Sequence, residues 1–103
     1  MILYGYPMSS ASYRVRIALT LKGVEVTTIT KQLRRGEQRA KDFLEINPQG
    51  FVPVLSLDDG QALPQSLAII EYLDEVYPQP PLLPAAPIER ARESMIRQVI
   101  LFL

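Results

Sequence analysis

The sequence predicts an α/β domain in which helices cover the faces of a four-stranded mixed sheet. Three observations carry that expectation. A β-branched and aromatic run at residues 2–6 leads into an amphipathic segment and then a second β-rich run at residues 25–30. This is the strand, helix, strand unit of parallel pairing through a right-handed crossover. Two short apolar runs flank Asp58-Asp59-Gly60, a tight-turn signal, and so form an antiparallel hairpin. A helix that starts at Gln65-Ser66 and stops at Pro78 completes the order β-α-β-α-β-β-α.

Each element has its own local reason. Ile2 to Tyr6 ends at Pro7, as a buried strand followed by a turn would. From Ser10 the period changes to helical, with Ala11, Val15, Ala18 and Leu19 on one face, Ile17 and Leu21 beside it, and Gly23 as the stop. Residues 25–30 alternate and are β-branched. Residues 31–41 hold five cationic side chains, Lys31, Arg34, Arg35, Arg39 and Lys41, and read as a solvated loop, since no aromatic is interleaved to stack a nucleic-acid base. A short helix over residues 42–46 carries Phe43, Leu44 and Ile46 and ends at Asn47-Pro48. Residues 51–57 form a strand, and Pro53 within it belongs at a strand start or an edge because proline cannot donate to a ladder. Gln61, Ala62 and Leu63 return the hairpin. The helix after Gln65-Ser66 places Ile69, Ile70, Leu73, Val76 and Tyr77 inward and Glu71, Asp74 and Glu75 outward.

Residues 78–87 contain five of the nine prolines and predict a stiff extended linker outside the core. Pro87 then opens a last helix with a stripe of Ala91, Met95, Val99 and Phe102. Its end, Val99-Ile100-Leu101-Phe102-Leu103, is apolar on every side and is expected to be buried by a partner chain or a further domain and to associate when isolated.

Composition narrows the chemistry. Eleven basic residues balance eleven acidic ones in 103, which removes the bulk electrostatic argument for nucleic acid or an anionic membrane. Neither cysteine nor histidine is present, so catalysis must lean on hydroxyls, carboxylates, backbone dipoles or a borrowed group. The first residues lack the basic region and long apolar run of a signal peptide and no stretch reaches membrane-spanning length, so a soluble cytoplasmic protein is expected. The stretch from Pro7 to Arg14 joins strand to helix and fills the junction with Ser9, Ser10 and Ser12. Taken alone, serines there are N-caps.

The β-α-β-α-β-β-α order is the thioredoxin-like arrangement, and three pieces fall at one end of its sheet: Ser9-Ser10, Val52-Pro53 and Gln65-Ser66. Their joint spacing resembles the N-terminal domain of a glutathione transferase. The run from Ser9 through Leu19, with Asn47-Pro48, Val52-Pro53 and the run from Gln65 through Leu73, is similar to the zeta class, which includes maleylacetoacetate isomerases. The resemblance implies a thioredoxin-like glutathione-binding domain at residues 1–78, a proline-rich linker at 79–87, and at 88–103 the first helix of an all-α C-terminal domain. It also implies a homodimer.

The resemblance further implies glutathione as cofactor. Gln65 and Ser66 would take the γ-glutamyl carboxylate, a cis bond before Pro53 would turn the Val52 backbone toward the cysteinyl part, and Gln38 would meet the glycine end. Ser9 becomes the stabiliser of the glutathione thiolate, Ser10 an assisting donor and Arg14 a source of positive potential. Where the family often has cysteine, this chain has Ala11. The implied reaction is cis–trans isomerisation of a maleyl diketo acid in tyrosine and phenylalanine breakdown. General conjugation or dehalogenation of small electrophiles uses the same thiolate, and a non-catalytic interaction module is the reading from another class.

Overall fold

The computed structural model describes the backbone of residues 1–101 and the side chains of residues 1–97. Strand β1 (Ile2–Gly5) leads into helix α1 (Ser10–Lys22) and strand β2 (Thr27–Thr30). Helix α2 (Lys41–Ile46), the hairpin of β3 (Val54–Ser56) and β4 (Ala62–Pro64), helix α3 (Ser66–Val76) and helix α4 (Pro87–Leu101) follow. The sheet order is β2-β1-β3-β4, with β1 and β2 parallel and the other neighbours antiparallel. This is the thioredoxin-like mixed sheet that the order of elements predicts.

The ends of α1 show how sequence sets local structure. Ser9 caps it in extended conformation, its Oγ accepting the Ser12 N–H at 3.1 Å. At the other end Gly23 takes φ 67°, its N–H reaching the Thr20 carbonyl while the Val24 N–H reaches that of Leu19. That pair of bonds is a Schellman stop, which needs a residue free of a Cβ penalty.

Leu3 and Leu55 lie opposite each other in the β1–β3 register and form one core with Val15, Ala18 and Leu19 of α1 and Ile69 and Leu73 of α3. Alternation along the strand sends Tyr4 to the other face, where its ring meets that of buried Phe43 on α2 at 5.7 Å. Three layers result: α1 and α3, the sheet, and α2.

Several expectations are corrected. Ile17 and Leu21 are 43% and 54% exposed. They lie about 200° and 240° round the helix from Val15, outside the buried stripe. The stretch at 31–41 contains two 3-10 turns, Leu33–Arg35 and Glu37–Arg39, hinged at Gly36 and held by the Glu37 carboxylate accepting the Gln32 N–H. The third strand is shorter than 51–57 because Pro53 lies directly before it and cannot pair. Val76 is 48% exposed.

Asp74, expected to face solvent, is the largest departure. Its side chain is 11% exposed and pairs at 2.7 Å with Lys22, whose side chain is fully buried. The remaining Asp74 lone pairs accept the N–H groups of Leu82 and Leu83, and Lys22 also donates to the Pro80 carbonyl. The proline-rich segment is therefore strapped to α1 and α3, with Leu82 packed against the core. It contains a cis bond at Gln79-Pro80. Beyond it, Arg97 of α4 meets Glu71 of α3 at 2.6 Å. Met95, expected in an apolar stripe, is 58% exposed. The expectations for the side chains of Val99, Ile100, Leu101, Phe102 and Leu103 lie outside the described residues.

Burial disfavours charge on Asp74, but the Lys22 hydrogen bond, the two backbone N–H groups and the Lys22 charge outweigh it and hold the carboxyl below its ordinary range. Its stabilising contribution is fully present above the unfolded carboxylate pKa of about 4 and is lost as pH falls through the lower folded value. Asp74→Ala leaves Lys22 buried without its counter-ion and is expected to cost about 3–5 kcal/mol, measured by denaturant unfolding at neutral pH.

Candidate functional site

Two helix N-termini open on the same cleft. Ala11 at the start of α1, and Gln65 and Ser66 at the start of α3, line it together with Phe51, Val52, Pro53 and Pro64, enclosing about 270 Å³. Neither helix has an acidic residue in its first turn, so the partial positive charge of each N-terminus is uncompensated. No side chain caps α3, which leaves its first N–H groups for solvent or a ligand. Larger hollows lie along the exposed side of α1 (about 450 Å³) and beside Met1 and Asp58 (about 420 Å³). Neither includes the start of a helix, and the cleft does.

The β1–α1 junction is fastened by two serines. Ser12 is 1% exposed, and its Oγ accepts the Tyr6 N–H at 3.3 Å while its own N–H reaches Ser9 Oγ. A Cβ on Gly5 would come within 3.3 Å of Ser12, so strand and helix approach closely only because residue 5 is glycine. Ser9 Oγ therefore serves as the cap, as an acceptor, and keeps its own O–H free to donate. Ser10 is exposed on the first turn. Among the described residues the N–H groups of Ser10 and Ala11 take no acceptor.

The opposite wall rests on Asn47, which is 3% exposed. Its Nδ2 donates to the Phe51 carbonyl at 2.9 Å, its Oδ1 accepts the Gln49 N–H at 3.2 Å, and its carbonyl accepts the Gly50 N–H. Gly50 has φ 69°, and the Gln38 carbonyl would lie 3.3 Å from a Cβ there. This turn delivers the chain to Val52-Pro53, a cis peptide bond. The N–H and carbonyl of Val52 have no partner among the described residues. Gln65 holds φ 75°, a conformation that costs a non-glycine residue about 1–3 kcal/mol and that clusters at functional sites.

The cleft thus brings together Val52, Pro53, Gln65 and Ser66 of the expected site residues. Ser9, Ser10, Arg14 and Gln38 are not in its lining. Ser9 and Ser10 adjoin it at the α1 start, Arg14 is exposed farther along α1, and Gln38 has its carbonyl against the Gly50 turn and its Oε1 buried, without a partner among the described residues. Sequence reasoning missed Gln49, whose Oε1 accepts from Gln65 Nε2 at 3.3 Å. The signal was Asn47-Pro48-Gln49-Gly50, an Asx turn closed by glycine, read only as a helix stop.

Comparison with known proteins gives the family. Residues 3–81 match the family described as glutathione S-transferase, N-terminal domain. A maleylacetoacetate isomerase of Pseudomonas aeruginosa is 51% identical over 102 residues, covering 97% of this chain and 48% of that protein. A crystal structure of maleylacetoacetate isomerase from Methylobacterium extorquens AM1, with bound malonate and GSH, superposes with a TM-score of 0.90 at 48% identity, over 96% of this chain and 46% of that one. The holo structure of a bacterial maleyl pyruvate isomerase of the zeta class gives 0.82 at 46% identity, over 89% and 43%. The chain spans about half the length of the curated relatives it matches.

Asn47→Ala removes two hydrogen bonds, the one to the Phe51 carbonyl and the one from the Gln49 N–H. It is expected to cost about 2–3 kcal/mol, with faster hydrogen exchange at the Gln49 and Gly50 amides.

Proposed function

The chain belongs to the glutathione S-transferase family, and on that premise we propose that it forms the glutathione-binding part of a zeta-class, glutathione-dependent cis–trans isomerase of the maleylacetoacetate type, acting in tyrosine and phenylalanine breakdown. The observation that carries this reading is the single cleft onto which the start of α1, the Val52-Pro53 step and the start of α3 all open. Residues 1–78 make the glutathione-binding domain in this proposal, 79–87 the linker and 88–103 the start of a helical domain that completes the substrate site. A cytoplasmic homodimer is part of the same reading. Among the described residues no helix is long and apolar enough to cross a membrane.

The donor set suits glutathione. Its γ-glutamyl carboxylate needs N–H and O–H donors, which Ser66, the uncapped α3 start and the Gln65 amide offer. The unpaired Val52 backbone can take the cysteinyl part as an added strand. Gln38 is assigned to the glycine end, and Arg14 to positive potential for a dianionic substrate. When bound, glutathione would supply a thiolate nucleophile for reversible addition to the maleyl double bond, and Ser9, Ser10, Val52, Gln65 and Ser66 would hold it.

Ser9 stabilises the sulfur anion, with Ser10 assisting. A free thiol has a pKa of about 8.5, and lowering it by ~1.5 units takes roughly 2 kcal/mol. A hydroxyl donating to a charged acceptor contributes about 1.5–3 kcal/mol and a helix N-terminus about 0.3–1. Because Ser9 Oγ already accepts the Ser12 N–H, its O–H is polarised toward donation. No histidine is required.

A second reading, conjugation or dehalogenation of small electrophiles, is favoured by Ala11, which lines the cleft where the family often carries cysteine. Conversion of maleyl diketo acids, compared with turnover of chlorinated acids and aryl halides, separates the two; no isomerase turnover by the full-length protein overturns the first. In that protein Ser9→Ala is expected to raise the pKa of the bound glutathione thiol by about 1–2 units, followed by ultraviolet absorbance of the thiolate. An unchanged pKa removes Ser9 from the mechanism.

A further inference from the structure

Gln65 combines a constrained backbone with an exposed side chain. Its φ of 75° fixes the direction in which the side chain leaves the chain, yet the residue is exposed and its side chain caps nothing. A glutamine amide free to rotate loses that freedom when it binds, and the loss subtracts from affinity. The structure supplies one restraint. Gln65 Nε2 donates to Gln49 Oε1 at 3.3 Å.

Gln49 is itself held from below. Its N–H is taken by Oδ1 of buried Asn47, the following Gly50 N–H by the Asn47 carbonyl, and the Phe51 carbonyl by Asn47 Nδ2. A glutamine that is exposed at its tip is thus anchored at its base, and it reaches across to the far wall of the cleft. One N–H and the Oε1 of the Gln65 amide remain for a ligand that carries both a carboxylate and an ammonium group.

We infer that Gln49 is a positioning residue that pre-orders the Gln65 amide for the α-amino-acid end of the γ-glutamyl ligand. The inference rests on the glutathione reading above. It makes the 47–51 turn serve two ends of the cradle: through Phe51 it sets the Val52 backbone, and through Gln49 it sets Gln65.

Titration of glutathione into the full-length protein and into the Gln49→Ala, Gln65→Ala and doubly substituted proteins tests it. Gln65→Ala is expected to weaken binding about tenfold and Gln49→Ala about three- to fivefold, while the double variant binds no more weakly than Gln65→Ala alone. Gln49→Asn, one methylene too short to reach, is expected to follow Gln49→Ala. Both side chains are exposed, and thermal midpoints are expected to stay at the wild-type value. Wild-type affinity in Gln49→Ala, or the same loss in both backgrounds, overturns the role of Gln49 and leaves the cradle intact. Wild-type affinity in Gln65→Ala overturns the cradle assignment itself.

Discussion

The arrangement depends first on a buried hydroxyl. Ser12, within the first turn of α1, takes the Tyr6 N–H from the end of the strand, and its own N–H is taken by Ser9. Without that relay the N–H groups at the junction would be only loosely satisfied, and the helix could begin a residue earlier or later. A shift of one residue would turn the first N–H groups of α1 by about 100°. Strand, cap and helix start are therefore set as one piece, and Gly5 permits it by leaving the space that Ser12 fills.

Asn47 performs the equivalent task across the cleft, but by a different route. The β1–α1 junction is short and local, whereas the 47–53 segment must turn from α2 into β3 with no regular structure between. A buried carboxamide does this well because it can donate and accept at once, replacing a ladder that proline at residue 53 forbids. The two walls of the cleft are thus each built around one nearly inaccessible polar side chain, Ser12 and Asn47, neither of which lines it.

Most of the fold was legible in sequence because local signals and tertiary packing agree. The Ser9 cap, the Gly23 stop, the hairpin at Asp58-Asp59-Gly60 and the proline after Tyr77 each mark a boundary that the structure keeps within a residue or so. What escaped depends on segments distant in sequence. Asp74 looks like a surface carboxylate until Lys22, fifty-two residues away, and the folded-back Leu82 and Leu83 are placed around it. At the cleft, proline and helix-start signatures marked the positions of Pro53 and Ser66, and the family resemblance is what pointed to Val52, Pro53, Gln65 and Ser66 as binding residues. The positive φ of Gln65 and its link to Gln49 have no such signature, since glutamine carries no turn preference that would announce either.

The β3–β4 register ends at Val54 opposite Pro64, and both chains leave the ladder there: one through the Val52-Pro53 step, the other into the start of α3. There the Val52 N–H and carbonyl take no partner among the described residues, and Val52 lines the cleft with Ala11 and Ser66. A ladder that stops beside an unpaired residue presents a main-chain donor and acceptor already spaced for one more extended residue.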